Sequence, residues 1–213
     1  MTTDSTHTYP ISPDLLQRDF TVDTPDSVWV SDITYIRTRA GWLYLTIVLD
    51  LFNRQIVGWS MSPRLTAIST TIPALTDAYQ RQRPGAGLIF HSDRGVQYAC
   101  RQFRLLLKKY QMHQSMSGLG DCYDNAVAES FFNTLKTELV YYERYDTREQ
   151  ARLSIFEYIE IFYNRIRIHT TLGGKTPVEY VELYMAARLD LTDYPFFYYY
   201  INLYQTHIRI ELT

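Results

Sequence analysis

The run SVWVSDITYI, residues 27–36, decides the fold. Val28, Trp29, Val30, Ile33 and Ile36 make it strand-like, and Asp32 sits in its middle. A strand is a poor place for aspartate, whose short polar side chain competes with the backbone and costs desolvation. Binding a cation is one reason to keep it there. Two more acids support that reading: Asp93 in HSDRGVQY (91–98) and Glu129 in DNAVAESFFNTLKTE (124–138). Asp32, Asp93 and Glu129 together form a candidate three-carboxylate metal site. Mg²⁺ and Mn²⁺ are hard ions that prefer carboxylate oxygens, and two of them ~4 Å apart can clamp both oxygens of a phosphoryl displacement. Without metal the three acids would repel one another, and burial would raise at least one pKa.

Outward from that run, strands are expected at Ser27–Ile36, Trp42–Asp50 and Gln55–Ser60, joined by short turns as an antiparallel meander. Leu65–Gln82 reads as a helix, and Leu88–Phe90 as a short strand that delivers Asp93 just beyond its end, where α/β sheets expose ligand sites. A helix at Gln102–Tyr110 and a short strand at Gln114–Met116 follow, then a glycine-bearing loop, Ser117–Asp121. A long helix is expected from about Asp124, its N-cap, to Leu139. Ala128, Phe132, Leu135 and Leu139 form its apolar stripe, which leaves Glu129, Asn133 and Lys136 along one edge. Thr147 with Gln150 is a capping box for a helix to about Tyr163, and Thr176-Pro177-Val178-Glu179 repeats the signal.

A chain of 213 residues, 46% apolar and 21% charged, suits one α/β domain with appendages. No long apolar run suggests a bilayer span, and MTTDSTHTYPISPD does not look like a secretory signal, so no membrane partner and cytoplasmic residence are expected. The two cysteines, Cys100 and Cys122, form no zinc pattern. A net charge of −2 argues against strong general DNA binding, yet Arg101, Arg104, Lys108 and Lys109 cluster, as do Arg165, Arg167, His169 and Lys175. Tyr163, Asn164, Arg165, Arg167 and His169 either dock a helix end or grip a nucleic-acid backbone. His91 either supports the metal or is a packed histidine. Asp50, Asp121 and Asp124 are weaker rivals for the metal, because their positions suit turns and a cap.

The blocks WVSDITYIRT (29–38), GWLYLTIVLDLFNRQIVGWSM (41–61), HSDRGVQY, SMSGLGDCYDNAVAESFFNTLKTE (115–138) and YNRIRIHTTLGGKTPVEY (163–180) resemble the catalytic protein of IS-three family bacterial insertion-sequence transposases, relatives of retroviral integrases. The resemblance implies a ribonuclease-H-like mixed five-stranded sheet flanked by helices, with Asp32, Asp93 and Glu129 holding Mg²⁺ or Mn²⁺ as two ions. It implies a transposase that uses water to cleave a phosphodiester at an element end and then joins the freed 3′-hydroxyl to another strand. DNA, both element ends and target, is the expected partner, together with self-association or a full-length transposase. Lys136, Asn133, Arg165, Arg167 and His169 are the expected DNA contacts.

On this reading residues 1–26 are an extended lead-in, 27–181 the catalytic core and 182–213 an atypical tail, whose segment beyond about Ala187 reads as one or two strands. The family's N-terminal DNA-binding region is expected to lie elsewhere. Two rival readings remain open: a hydrolytic ribonuclease-H-like nuclease that does not join ends, and an inactive DNA-binding or regulatory transposase fragment.

Overall fold

The computed structural model describes residues 7–118 and 126–188. The end of the expected glycine-bearing loop, Asp121, Cys122, Asp124 with its expected capping role, and the segment from residue 189 lie outside the described residues.

Five strands, β1 (Val28–Thr38), β2 (Gly41–Asp50), β3 (Ile56–Ser62), β4 (Ile89–Ser92) and β5 (His113–Met116), form one sheet in the order β3-β2-β1-β4-β5. The first three are the expected antiparallel meander. β4 pairs parallel with β1, and β5 parallel with β4, so the sheet is mixed. Parallel neighbours require crossovers. α1 (Thr71–Gln82) connects β3 to β4, while α2 (Val96–Ala99) and α3 (Arg101–Lys109) connect β4 to β5.

β1 is the central strand and is covered on both faces. Val28, Val30 and Ile36 join one core with Ala128, Phe131, Phe132 and Leu135 of α4 (Ala126–Leu135) and Ala151 and Ile155 of α5 (Arg148–Glu157). Trp29 and Ile33 join the other, with Ala74, Leu75 and Ala78 of α1 and Phe103 and Leu107 of α3. Because successive side chains alternate, Asp32 shares the face of Val30 and is aimed at the α4 side.

The caps act as the sequence suggests. Thr147 and Gln150 form a reciprocal capping box on α5. Thr176 and Glu179 exchange the same pair of bonds, at 2.9 and 3.1 Å, ahead of α6 (Pro177–Arg188). α6 therefore runs through residue 181, where the catalytic core was expected to end.

Three elements differ from expectation. The first helix starts at Thr71 rather than Leu65, because hydroxyls of Ser69 and Thr70 bond the carbonyls of Arg64 and Thr66 and hold that stretch in turns. The helix bearing Glu129 changes to a π turn over Lys136–Val140, closed by the Tyr141 amide on the Lys136 carbonyl at 2.9 Å. Leu139 sits partly buried at the rim of the core, and Phe131, outside the expected stripe, is buried and meets Tyr163 edge-on at 4.8 Å. The helix after Thr147 also ends in a π segment, Tyr158–Tyr163.

Gly58 lets β3 and α1 approach one another. A Cβ there would lie 2.5 Å from the Ala78 amide nitrogen and 2.7 Å from the Ala74 carbonyl oxygen, both backbone atoms. Gly58→Ala must therefore part the helix from the sheet. It should destabilise the fold by about 3 kcal/mol, at the upper end for overpacking. Urea unfolding of the variant measures this, and a shift under about 0.5 kcal/mol would show that α1 floats on the sheet.

Candidate metal and nucleic-acid site

β1 positions Asp32 and β4 positions Asp93, one residue past its end. The two strands are direct parallel neighbours, in register from Val28↔Ile89 to Ser31↔Ser92, so the two acids follow the last registered pair. Asp32 accepts the Ile33 amide at 2.7 Å, and Asp93 accepts the Gly95 amide at 2.8 Å in a tight turn that leads into α2. Glu129 stands on the exposed side of α4 beside Asn133, with Lys136 half-buried two turns on.

Electrostatics ties these groups together. Burial, then the charge of Asp93, and then that of Glu129, push the Asp32 carboxyl up to about 8, against the pull of the Ile33 amide and of Lys136. Burial is the larger cause, and the neighbouring acids add to it. The donor set is all carboxylate oxygen, which suits a hard divalent ion. Among the described residues, no group of three or more His, Cys, Asp or Glu side chains is placed to hold a metal ion.

Tyr98, the last residue of HSDRGVQY, was not singled out by the sequence reading. It is fully buried, its hydroxyl lies 2.9 Å from that of Ser31, and burial followed by the charges of Asp32 and Asp93 holds its pKa well above the ordinary value. It is a neutral floor beneath the two aspartates. Its place five residues after Asp93, at the end of the same block, was the available signal.

The remaining candidates separate by what they touch. His91 is completely buried, with Nδ1 2.8 Å from the Ser115 hydroxyl, which is the packed-histidine alternative. Asp50 is buried and spent on structure, accepting the amides of Asp26 and Phe52 at 2.8 and 2.9 Å. Asn164 clasps the backbone of Ile56, accepting its amide at 3.0 Å and donating to its carbonyl at 3.1 Å, and so docks the helix end on β3. Arg167 grips both carboxylate oxygens of Glu138, which also accepts the Tyr158 hydroxyl. His169 is held down to about 4 by burial and by Arg167, so its ring is neutral at physiological pH. Arg165 is exposed. The Arg101–Lys109 cluster lies on α3, which packs on the sheet face opposite Asp32.

The integrase core domain family matches residues 22–122, and a second integrase core domain family matches residues 129–183. Transposase InsF of insertion sequence IS3A from Escherichia coli is 45% identical over 174 residues, 82% of this chain and 60% of its own. A 31 kDa uncharacterized protein of insertion element IS600 from Shigella sonnei is 45% identical over 183 residues, 86% of this chain and 67% of that one. The chain thus spans about 60% of the length of its InsF relatives. Among solved structures, the HTLV-2 integrase catalytic core domain in complex with magnesium superposes with a TM-score of 0.56 at 17% identity, over 73% of this chain and 95% of that one. The catalytic core domain of BIV integrase gives 0.53 at 20% identity, over 76% of this chain and 99% of that one. The fold is the ribonuclease-H-like one.

The raised Asp32 pKa predicts a pH dependence. Its folded value of about 8 exceeds the ordinary carboxylate value, so the folded state binds the proton more tightly. That contribution to stability is fully present below about pH 4 and is lost as pH rises toward 8. Asp32→Asn removes the dependence. In EDTA, the stability of the variant relative to the parent should grow by more than about 1 kcal/mol between pH 4 and 8. Urea midpoints across that range test this, and parallel curves would show that Asp32 carries no such burden.

Proposed function

Because this chain belongs to the integrase core family of insertion-sequence transposases, we propose that it is the catalytic part of a divalent-metal-dependent polynucleotidyl transferase that cuts and joins DNA. The single observation that carries this reading is the convergence of charge on Asp32, felt from Asp93 and Glu129 at the ends of neighbouring elements. Asp32, Asp93 and Glu129 would hold Mg²⁺ or Mn²⁺, as two ions. When bound, such ions neutralise the transferring phosphate and polarise the attacking and leaving oxygens.

The chain's own residues do the positioning. Asp32 is fixed by the Ile33 amide within β1 and Asp93 by its turn to Gly95 just past β4, so two carboxylates are presented by neighbouring strands. Tyr98, uncharged, keeps the floor of the site free of competing negative charge. Lys136 and Asn133, on the same edge of the helix as Glu129, would meet the DNA backbone. Arg165, Arg167 and His169 are proposed as outlying contacts: Arg165 by charge, Arg167 only if it shares its guanidinium with Glu138, and His169 by hydrogen bonding rather than charge. In the reaction, water cleaves a phosphodiester at an element end, and the freed 3′-hydroxyl displaces a second phosphodiester. No covalent bond to the protein is needed. Element ends and target DNA are the proposed substrates, with self-association or a longer transposase as protein partner. The core would occupy residues 27–181, with 1–26 as a lead-in and 182–213 as a tail.

Asp93→Asn tests the assignment at nearly constant volume. With pre-cut element ends and Mg²⁺, strand joining should fall at least about 100-fold, since a metal contributes several kcal/mol and each 1.4 kcal/mol is tenfold. Duplex binding and thermal stability should change little. Near-parental joining by the variant would overturn the mechanism, and cutting without joining by the parent chain would favour a hydrolytic nuclease.

A further inference from the structure

A cavity of about 750 Å³ opens beside Lys136. It lies where β1 outruns its neighbour: β4 pairs only with Val28–Ser31, whereas β1 and β2 continue together to Thr38 and Gly41. The projecting hairpin forms one wall, and the π turn with the segment to Tyr145 forms the other.

Its lining departs from the chain's average. The whole chain carries a net charge of −2, yet Arg37, Arg39, Lys136 and Arg144 line this cavity against one acid, Glu143. Arg37 and Arg144 are exposed. Arg39 pairs with Asp146 at 2.9 Å, but both side chains are largely in solvent, and such pairs contribute little. The cations are interleaved with aromatic faces. The Lys136 ammonium stands 5.6 Å from the centre of the Tyr35 ring, and Tyr35 meets Trp42 edge-on at 5.0 Å. Trp42 is 46% exposed at the start of β2, where a polar residue would cost nothing.

Cations spaced along a groove with exposed rings between them are the requirement for holding a nucleic-acid strand whose bases are unpaired: the cations meet phosphates, and the rings stack on bases. A paired duplex hides its base faces, and a cavity this size takes only a short stretch of strand. We propose that the Arg37–Trp42–Arg144 groove binds unpaired DNA entering or leaving the carboxylate site past Lys136. This rests on the DNA-acting reading above and adds to it a single-strand subsite. Tyr, Trp and Arg also mark protein interfaces, so a second copy of the chain is the competing occupant.

The test uses the intact chain in EDTA, so that no cutting or joining intervenes. Of the three tryptophans, Trp29 is fully buried and Trp59 donates to Glu160 at 2.8 Å, so Trp42 should respond most to stacking. A single-stranded oligonucleotide should quench tryptophan fluorescence saturably, more than a duplex of equal length, and Trp42→Phe should abolish the change. Trp42→Ala should weaken single-strand binding at least about fivefold by anisotropy. Arg37→Gln with Arg144→Gln should lower the slope of log affinity against log salt by about 1 to 2. Both arginines are exposed, so thermal melting will confirm that the variants fold.

Three results would overturn the proposal. Equal quenching by duplex would make the groove a duplex track. Anisotropy showing bound oligonucleotide while Trp42 stays silent would place the strand elsewhere and leave the DNA reading intact. A Trp42 signal that depends on protein concentration without DNA would assign the groove to self-association. Failure of any DNA to bind by anisotropy would remove the DNA reading itself, a result distinguishable from the other three.

Discussion

Everything at this site follows from placing a carboxylate in a strand that is covered on both faces. β1 gives Val28, Val30 and Ile36 to one core and Trp29 and Ile33 to the other, so a slip of one residue would send all five into the wrong core and turn Asp32 to the opposite face. Asp32 inherits that rigidity. It stays partly exposed, and its pKa is pushed up to about 8 by burial and by the charges of Asp93 and Glu129. The energetic penalty of holding this group in place is borne by the packing of the two cores, and a bound cation would relieve it.

Legibility in the sequence tracks how local each signal is. The strand with Asp32, the turn that exposes Asp93 and the capping boxes at Thr147 and Thr176 are set by neighbouring residues, and each appears where the sequence places it. The start of α1 was missed because the hydroxyls of Ser69 and Thr70 reach back to the carbonyls of Arg64 and Thr66 and compete with the helix, and the π turn at Lys136 because no short pattern announces a change of winding. Phe131 is buried through Tyr163, 32 positions away by subtraction of their numbers, and Tyr98 becomes part of the site only once β1 and β4 are paired. The Arg37, Trp42 and Arg144 groove draws on a hairpin and on a segment about 100 residues later. No window of sequence contains it.

The same distance argument sorts the polar residues. Asp50, Asn164 and Arg167 look in the sequence like ligands or phosphate grips, yet each is consumed by long-range docking: Asp50 on the Asp26 turn, Asn164 on Ile56, Arg167 on Glu138. The Asn164 and Arg167 bonds hold the block around residues 163–180 to β3 and to the π turn that follows the helix carrying Glu129. On the hairpin side Lys136 shares a cavity with Arg37, Arg39 and Arg144, so a chain of net charge −2 still presents a basic surface there.

Glu129 is the part of the site with the most freedom, and its freedom is bounded. Arg94 donates to the Ser117 carbonyl at 2.6 Å, and α4 is held by Ala128, Phe132 and Leu135 against the sheet. Those three side chains lie within one turn or two of Glu129, so its azimuth about the helix axis is fixed by core packing. The helix continues past Leu135 into the π turn that carries Lys136, whose ammonium stands 5.6 Å from the centre of the Tyr35 ring on the hairpin. The helix edge that presents Glu129 and the hairpin that carries Tyr35 therefore meet at Lys136, and the packing of both sets where the basic groove lies.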